Sequence, residues 1–138
     1  MSKTKQTDPA QKTILIVEDS VDFANLLQFL IEDDGAKAVQ FPLDTGDIIE
    51  WAKEHKPATI LMDLALRRKA GFAYIDELKG DEETKNIPII IITGRELGQR
   101  EILDFQMKNI RYLRKGRVEI NEIKKEIRES AGIKVDSE

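Results

Sequence analysis

The chain has 138 residues, a length typical of one domain, and its 41% hydrophobic and 35% charged content excludes a disordered protein. It contains no cysteine, which excludes a disulfide framework and a thiolate metal site and suits the cytoplasm. The formal charge of −4 argues against bulk nucleic-acid binding, and no apolar run approaches the ~20 residues of a membrane span. We therefore expect a soluble, cytoplasmic protein without direct nucleic-acid or membrane contacts.

The first part of the chain alternates between strand-like and helix-like segments. Residues 1–12 are polar and are predicted to form a flexible N-terminal tail. Thr13 to Val17 is a short β-branched apolar run, typical of a strand buried on both faces. Ser20 is the expected N-cap of the helix that follows, and Gly35 is expected to end that helix.

The next three elements are a strand, a helix and a strand. We expect a short strand over residues 38–41 and a helix that Thr45 caps and that ends before Pro57. Residues 58–62 form a third apolar strand, which finishes at Asp63. This strand is apolar along most of its length, which predicts burial on both faces.

The second half of the chain continues the alternation. The predicted elements are a helix from Gly71, a strand ending at Thr93, a helix over residues 96–107, a strand over residues 110–113 and a helix over residues 118–129. Asn109 is expected to adopt the left-handed conformation in the turn before the last strand.

The repeated strand–helix order predicts an α/β fold. Nearly continuous apolar strands are typical of a parallel sheet covered by helices on both faces. With right-handed crossovers, the commonest order for five such strands is the flavodoxin-like order 2-1-3-4-5. We therefore predict a flavodoxin-like (βα)5 three-layer sandwich over residues 13–130, followed by a C-terminal tail over residues 131–138.

Polar side chains follow four of the five predicted strands. Glu18 and Asp19 come after the first strand, Asp63 after the third, Thr93 closes the fourth and Lys115 follows the fifth. A single carboxylate at such a position is usually a turn former or a helix cap. Parallel strands end at one edge of the sheet, however, and ligands bind at that edge. The conjunction of these groups therefore predicts a functional site.

The residue types at this edge indicate phosphoryl chemistry. An all-oxygen donor set without histidine or cysteine suits Mg²⁺, which favours phosphate oxygens. One carboxylate could then attack phosphorus and form an acyl phosphate. A metal ion and Lys115 would stabilise charge on the transferring group, and Thr93 would donate a hydrogen bond to it.

In its motifs the chain resembles the receiver domain of two-component response regulators, whose simple members include chemotaxis regulators. The resemblance covers residues 13–130. Its marks are the acidic pair in ILIVEDS, the aspartate that ends ATILMD, the glycine eight residues later, the threonine in IIIITG and the aromatic residue and lysine in YLRKG. Each motif alone is weak, but their order and spacing together match the family.

The resemblance implies a phosphoryl acceptor and its metal ligands. Asp63 would take a phosphoryl group from a histidine kinase or a histidine phosphotransfer protein. Mg²⁺ would be held by Glu18, Asp19, Asp63 and the backbone carbonyl of Ala65. Lys115 would contact the phosphoryl group. Catalysis beyond self-phosphorylation from a donor and slow self-dephosphorylation is not expected.

The resemblance also implies a conformational switch. Thr93 would move toward the phosphoryl group, and Tyr112 would turn inward to fill the vacated space. This movement would alter the surface formed by the fourth helix, the fifth strand and the fifth helix, where a downstream protein target would bind. Only a short segment follows residue 130, so we expect output by protein contact or by relay of the phosphoryl group.

The sequence departs from the family pattern at several positions. The family often has Met-Pro three and four residues after the acceptor, where Leu66 and Arg67 stand here. Residues 67–69 are all basic and form either a solvated loop or a contact for an acidic partner. Gly116 replaces the proline that usually follows the lysine, so we expect a trans peptide bond after Lys115.

Three alternative functions share the predicted fold. A degenerate receiver would bind a protein without phosphorylation, and Ala65, Arg67 and Gly116 support it. A haloacid-dehalogenase-like phosphatase would have a second aspartate two residues after the nucleophile, where Ala65 stands. A flavin-binding protein would need a Ser/Thr/Gly-rich loop after the first strand, where EDSVDF is acidic. The phosphoryl-accepting receiver fits the residues best.

Overall fold

Strands and helices alternate along the whole of residues 11–134, the part of the chain that the computed structural model describes. The strands are β1 (Thr13–Val17), β2 (Lys37–Gln40), β3 (Thr59–Met62), β4 (Ile89–Thr93) and β5 (Ile110–Arg114). The helices are α1 (Val21–Asp33), α2 (Ile48–His55), α3 (Gly71–Lys79), α4 (Gln99–Met107) and α5 (Ile120–Ala131). Each strand ends within one residue of its predicted end, and β4 begins two residues after the start of the predicted apolar run at Ile87.

All strand pairings are parallel, and the order in the sheet is β2-β1-β3-β4-β5. This order confirms the predicted flavodoxin-like fold. The register brings the ends of the central strands together: Val17 pairs with Met62, so Glu18 and Asp63 leave the sheet side by side. Thr93 pairs with Arg114, which places Lys115 one residue beyond that pair.

The sheet separates two apolar layers. In β1, Ile14 and Ile16 face the layer under α1 and α5, whereas Leu15 and Val17 face the layer under α2, α3 and α4. Successive side chains of a strand point to opposite faces, so a fully apolar strand feeds both layers. Full burial of a side chain of this kind contributes about 1.5–3 kcal/mol. The continuous apolar runs therefore hold the polar strand ends on a rigid support.

The start of α2 differs from the prediction. Thr45 was expected to cap this helix, but Asp47 is the N-cap, and its Oδ1 accepts the backbone N–H groups of Ile49 and Glu50 at 3.0 and 3.3 Å. Thr45 instead lies in the preceding turn, where its N–H donates to the carbonyl oxygen of Pro42. The predicted cap was wrong because Thr45 and Gly46 form a hydrogen-bonded turn with Pro42, so the helix begins after them.

The last two helices begin later than predicted. α4 starts at Gln99 instead of residue 96, and α5 spans Ile120–Ala131 instead of residues 118–129. Leu97 is buried in the loop before α4, so its apolar character reflects core packing and not helix periodicity. The Glu101 side chain accepts the N–H of Gly98 at 3.1 Å and thereby satisfies a free donor at the start of the helix.

Two other local predictions are confirmed. The Ser20 hydroxyl accepts the N–H of Phe23 at the start of α1, and Asn109 has a φ of 62°. Residues 1–10 and 135–138, which belong to the predicted tails, lie outside the described residues. The domain boundaries at residues 13 and 130 stay a prediction. Within residues 11–134, no helix is long and apolar enough to cross a membrane.

The capping assignment in α2 can be tested with a matched pair of variants. Asp47→Ala should lower the free energy of unfolding by about 1 kcal/mol, because two N–H groups lose their acceptor. Thr45→Ala should change it by less than about 0.5 kcal/mol, because Thr45 lies outside the helix. Urea unfolding followed by circular dichroism measures both values. A larger loss for Thr45→Ala than for Asp47→Ala would contradict the assignment.

Candidate functional site

The ammonium group of Lys115 lies between two carboxylates at the carboxyl edge of the sheet. Its Nζ is 3.1 Å from Oε1 of Glu18 and 3.1 Å from Oδ2 of Asp63. The two acidic side chains are only 3% and 7% exposed, and that of Lys115 is 27% exposed. The predicted convergence of β1, β3 and β5 at this edge is therefore present in the structure.

Two glycines allow the backbone conformations next to Asp63 and Lys115. A Cβ on Gly71 would lie 2.5 Å from the carbonyl oxygen of Asp63, so only glycine lets α3 begin this close to the end of β3. Gly116 has a φ of +85°, and no peptide bond within residues 11–134 is cis. The expected trans bond after Lys115 is thus confirmed. Lys115 also donates its backbone N–H to the carbonyl oxygen of Thr93 at 2.8 Å.

Asp63 is held in its charged form. Burial by itself would raise the pKa of its carboxyl, but hydrogen bonds from the Ala65 N–H, the Thr93 hydroxyl and Lys115 outweigh burial and lower it. The Ala65 N–H lies 3.0 Å from Oδ1, on the oxygen that Lys115 does not contact. A carboxylate that stays ionised to low pH is available as a nucleophile at neutral pH.

Glu18 shows the opposite shift. Burial raises the pKa of its carboxyl, and hydrogen bonds from the Ser20 N–H and Lys115 only partly offset that effect. For Lys115, burial lowers the pKa, but the bonds to Asp63 and Glu18 outweigh burial and raise it. The Lys115 Nζ also lies 4.6 Å from the centre of the Phe23 ring, in position for a cation–π contact. The ammonium group is thus charged and surrounded on several sides.

Asp19 points to a different part of the site. Its Oδ2 accepts the backbone N–H of Arg67 at 3.1 Å, and the Arg67 guanidinium Nε is 3.9 Å from the same oxygen. The Asp19 side chain is 26% exposed. A cavity of about 340 Å³ lies beside it, lined also by Leu43, Asp44 and Leu66. The acidic pair is therefore divided, with Glu18 on Lys115 and Asp19 on the loop after β3.

The predicted metal ligands match Mg²⁺ in chemistry. Glu18, Asp19 and Asp63 supply only carboxylate oxygens, the donors that Mg²⁺ prefers, and a cation already neutralises two of them. That cation is the Lys115 ammonium group. Among residues 11–134, no three acidic, histidine or cysteine side chains form a group that could hold a metal ion. The donor types thus fit Mg²⁺, whereas the present side-chain positions would have to change to bind it.

The predicted switch residues are linked through one backbone segment. Thr93 is fully buried, and its Oγ1 accepts the N–H of Arg95 at 3.4 Å. The hydroxyl of Tyr112 donates to the carbonyl oxygen of Arg95 at 2.9 Å, and the Tyr112 ring is partly buried. A movement of the loop after β4 would therefore act on both side chains.

The cations of the basic loop have carboxylate neighbours on the same chain. Arg68 Nε lies 2.9 Å from Oδ1 of Asp44, and Lys69 pairs with Glu77. The Arg68 and Asp44 side chains are both mostly exposed, so their pair contributes at most about 1 kcal/mol. The basic side chains of residues 67–69 thus have ion-pair partners within the chain, which fits a solvated loop, and a contact with an acidic partner stays a prediction.

Sequence reasoning missed three contacts in the site. The Ser20 N–H donates to Glu18 at 3.0 Å, Phe23 lies under the Lys115 ammonium group, and the Arg67 N–H binds Asp19. Two of these contacts come from backbone N–H groups, which every residue except proline carries. The one available signal was Arg67, which stands where the family often has a proline without that donor.

Comparison with known proteins identifies the family. The family model described as "Response regulator receiver domain" matches residues 14–128. The match covers most of the chain, so the chain belongs to the receiver domains of two-component response regulators. The resemblance drawn from the sequence motifs is thereby confirmed.

Relatives and solved structures agree with this family. The chain is 34% identical over 83 residues to the polar-differentiation response regulator DivK of Brucella anthropi, covering 60% of this chain and 67% of DivK. The fold matches the Vibrio cholerae chemotaxis protein CheY4 with a TM-score of 0.72 at 15% identity, over 88% of this chain and 99% of that one. It also matches the receiver domain of sensor histidine kinase PA1611 from Pseudomonas aeruginosa, a structure with magnesium in its active-site cleft. The TM-score is 0.70 at 24% identity, over 89% and 99% of the two chains.

The role of Lys115 can be tested by pH titration. Lys115→Met should raise the pKa of Asp63 and Glu18, because both carboxylates lose their cation. At pH 7 the free energy of unfolding should fall by roughly 1–3 kcal/mol. A carboxyl whose folded pKa exceeds its unfolded pKa favours folding when protonated, so this deficit should shrink as the pH falls through the raised pKa values. Carboxyl ¹³C NMR and urea unfolding measure both effects.

The matched control for this titration is Lys125→Met, which removes an exposed lysine of α5. It should leave the titration of Asp63 and Glu18 unchanged. An Asp63 carboxyl that titrates identically in the wild-type chain and in Lys115→Met would contradict the assigned bridge.

Proposed function

We propose that this receiver domain accepts a phosphoryl group on Asp63 and signals through altered protein contacts. The observation that carries the proposal is the state of Asp63 itself. Its carboxylate is almost buried at the edge of the sheet, yet three hydrogen-bond donors hold its pKa below the ordinary value. Such a group is an ionised nucleophile with hydrogen-bond donors beside it, as aspartyl phosphorylation requires.

The transfer step uses the groups around Asp63. One carboxylate oxygen forms a bond to phosphorus while the bond from phosphorus to the donor's imidazole nitrogen breaks. The imidazole keeps the electron pair of that bond and takes up a proton from solvent. Lys115 would move from Asp63 Oδ2 to an oxygen of the phosphoryl group, and the Thr93 hydroxyl would donate to another.

Glu18, Asp19 and Asp63, with the carbonyl oxygen of Ala65, would hold Mg²⁺ in this site. When bound, the ion would neutralise the charge that accumulates on the phosphoryl oxygens. The all-oxygen donor set supports this assignment. Lys115 would have to leave Glu18, and the Arg67 N–H would have to leave Asp19 or share it.

The proposed output surface is the face formed by α4, β5 and α5. Leu103 and Met107 are 59% and 86% exposed on α4, an unusual exposure for large apolar side chains. A cavity of about 280 Å³ beside them is lined by Ile102, Gln106 and Tyr112, among others. Because Tyr112 contacts the backbone of Arg95 next to Thr93, its displacement would reshape this cavity. A downstream protein target would sense that change.

The phosphoryl donor would be a histidine kinase or a histidine phosphotransfer protein. Support comes from the family, from a relative named as a response regulator, and from a neighbouring structure that is itself the receiver domain of a sensor histidine kinase. Such donors carry the phosphoryl group on a histidine. As part of the same proposal, we place this protein in the cytoplasm together with its donor.

A degenerate receiver that binds its partner without phosphorylation is the second candidate. It is favoured by one observation: each of the three carboxylates already has a donor from the protein itself. In such a receiver the bonds from Lys115 and Arg67 would be permanent, and the output face would keep one shape. The two candidates differ in whether Asp63 can be modified.

Intact mass spectrometry tests the acceptor directly. After incubation with phosphoramidate and Mg²⁺, the wild-type chain should gain the mass of one phosphoryl group, and Asp63→Asn should gain none. The matched control is Asp76→Asn, which removes an exposed aspartate of α3 and should leave the modification intact. A phosphoryl adduct that persists in Asp63→Asn would place the acceptor elsewhere.

Beryllofluoride, which mimics a phosphoryl group on aspartate, tests the switch. With Mg²⁺ it should shift the NMR signals of Thr93, Arg95 and Tyr112 together, because their side chains and backbone are hydrogen-bonded in sequence. Tyr112→Phe should retain the shift of Thr93 while losing the hydrogen bond to Arg95. If beryllofluoride moves none of these signals in a chain that also gains no phosphoryl group, the degenerate receiver is the correct function.

A further inference from the structure

The Asp19 carboxylate is attached to the loop between β3 and α3 by one main-chain hydrogen bond. The Arg67 N–H donates to Oδ2 at 3.1 Å, across 48 residues of sequence. The guanidinium group contributes little to this link, because its Nε is 3.9 Å away and the Arg67 side chain is 89% exposed. The contact therefore depends on residue 67 having a backbone N–H and not on its being basic.

This hydrogen bond competes with cation binding. A carboxylate oxygen that accepts an N–H has one lone pair engaged and part of its charge neutralised. Mg²⁺ requires near-octahedral geometry and gives up its waters reluctantly, so it tolerates a misplaced or shared ligand poorly. Among the described residues, 11–134, Glu18, Asp19 and Asp63 do not form a ready-made group of metal ligands.

We propose that Arg67 is a positioning residue whose main-chain N–H holds Asp19 away from the cation site and so lowers the affinity of this receiver for divalent cations. The proposal rests on the proposed function, since it concerns the Mg²⁺ ligands named there. Cation binding then requires Asp19 to give up this hydrogen bond or to share its carboxylate between the loop and the ion. The backbone N–H of residue 67 thereby sets the affinity of the site for the cation, and a proline at this position would lack that donor.

Release of Asp19 would also change a surface. The same loop carries Arg68, whose Nε lies 2.9 Å from Asp44 in the turn before α2, and the cavity beside Asp19 lies between these two segments. At its other end the loop is anchored, because Gly71 donates its N–H to the carbonyl oxygen of Leu64. Because Leu66 is buried in the core, movement would be concentrated in residues 67–69, at the rim of the acceptor site.

The test compares the Mg²⁺ dissociation constants of four chains by isothermal titration calorimetry. Arg67→Pro removes the N–H and should bind Mg²⁺ about three- to tenfold more tightly than the wild-type chain, as loss of one solvent-exposed hydrogen bond of ordinary strength implies. Arg67→Ala keeps the N–H and should match the wild-type chain within about twofold. Arg68→Pro places a proline at the neighbouring position and controls for stiffening of the loop.

A second measurement needs no proline, and its main comparison uses the wild-type chain alone. In the wild-type chain, the Arg67 amide should be protected from hydrogen exchange and should lose protection as Mg²⁺ is added. The Arg67 amide of Asp19→Ala should be unprotected from the start. These amide signals report the hydrogen bond itself and do not require phosphorylation.

Each outcome is decisive. Tighter binding by Arg67→Pro alone, together with an Arg67 amide that Mg²⁺ releases, supports the proposal. Equal affinities for Arg67→Pro and Arg67→Ala, or an Arg67 amide that stays protected at saturating Mg²⁺, overturn it. Absence of Mg²⁺ binding in every chain overturns it as well. Failure of the proposed function appears separately, as an Asp63 that gains no phosphoryl group in a chain that binds Mg²⁺.

Discussion

The contact on which this site depends is the Lys115 ammonium group between Glu18 and Asp63. It joins the ends of three strands, β1, β3 and β5, that the sheet order keeps within side-chain reach. Two nearly buried carboxylates this close would repel each other and take up protons without a cation. Lys115 reduces this repulsion, but the two carboxyl groups differ. Additional hydrogen-bond donors lower the pKa of Asp63, whereas burial raises the pKa of Glu18. The proposed nucleophile is thus distinguished from Glu18 by its hydrogen bonds.

The carboxylates of the site already have hydrogen-bond partners within the protein. Lys115 neutralises two carboxylates, backbone N–H groups satisfy the remaining oxygens, and Asp19 turns to the Arg67 loop. A phosphoryl group or a cation that bound here would therefore compete with existing bonds. The net free energy of binding is the difference between two sets of charge-assisted hydrogen bonds, each of about 1.5–3 kcal/mol. Small changes in a single partner can then alter affinity severalfold.

The fold and most of the site could be predicted because both depend on strand ends. Apolar runs define where each strand stops, and Glu18, Asp63 and Lys115 each lie just beyond a stop. The cap of α2 could not be predicted, because Thr45 and Asp47 are both good caps and the choice depends on a turn that engages Thr45. Backbone donors are equally invisible in a sequence. For that reason the opposite pKa shifts of two similar carboxylates, and the division of the acidic pair, required the structure.

The site lies on closely packed strands and is bordered by loops, and this difference in packing is what a switch needs. The strands that carry Glu18, Asp63 and Thr93 are packed on both faces, and closely packed interiors do not deform continuously. The loops after β3 and β4, by contrast, contact the site through individual main-chain hydrogen bonds, among them those from the Arg67 N–H to Asp19 and from the Arg95 N–H to Thr93. A new charge at Asp63 would therefore exchange loop contacts and leave the sheet in place. The loop after β4 leads to Tyr112 and the exposed apolar residues of α4, so that exchange reaches the surface within two contacts.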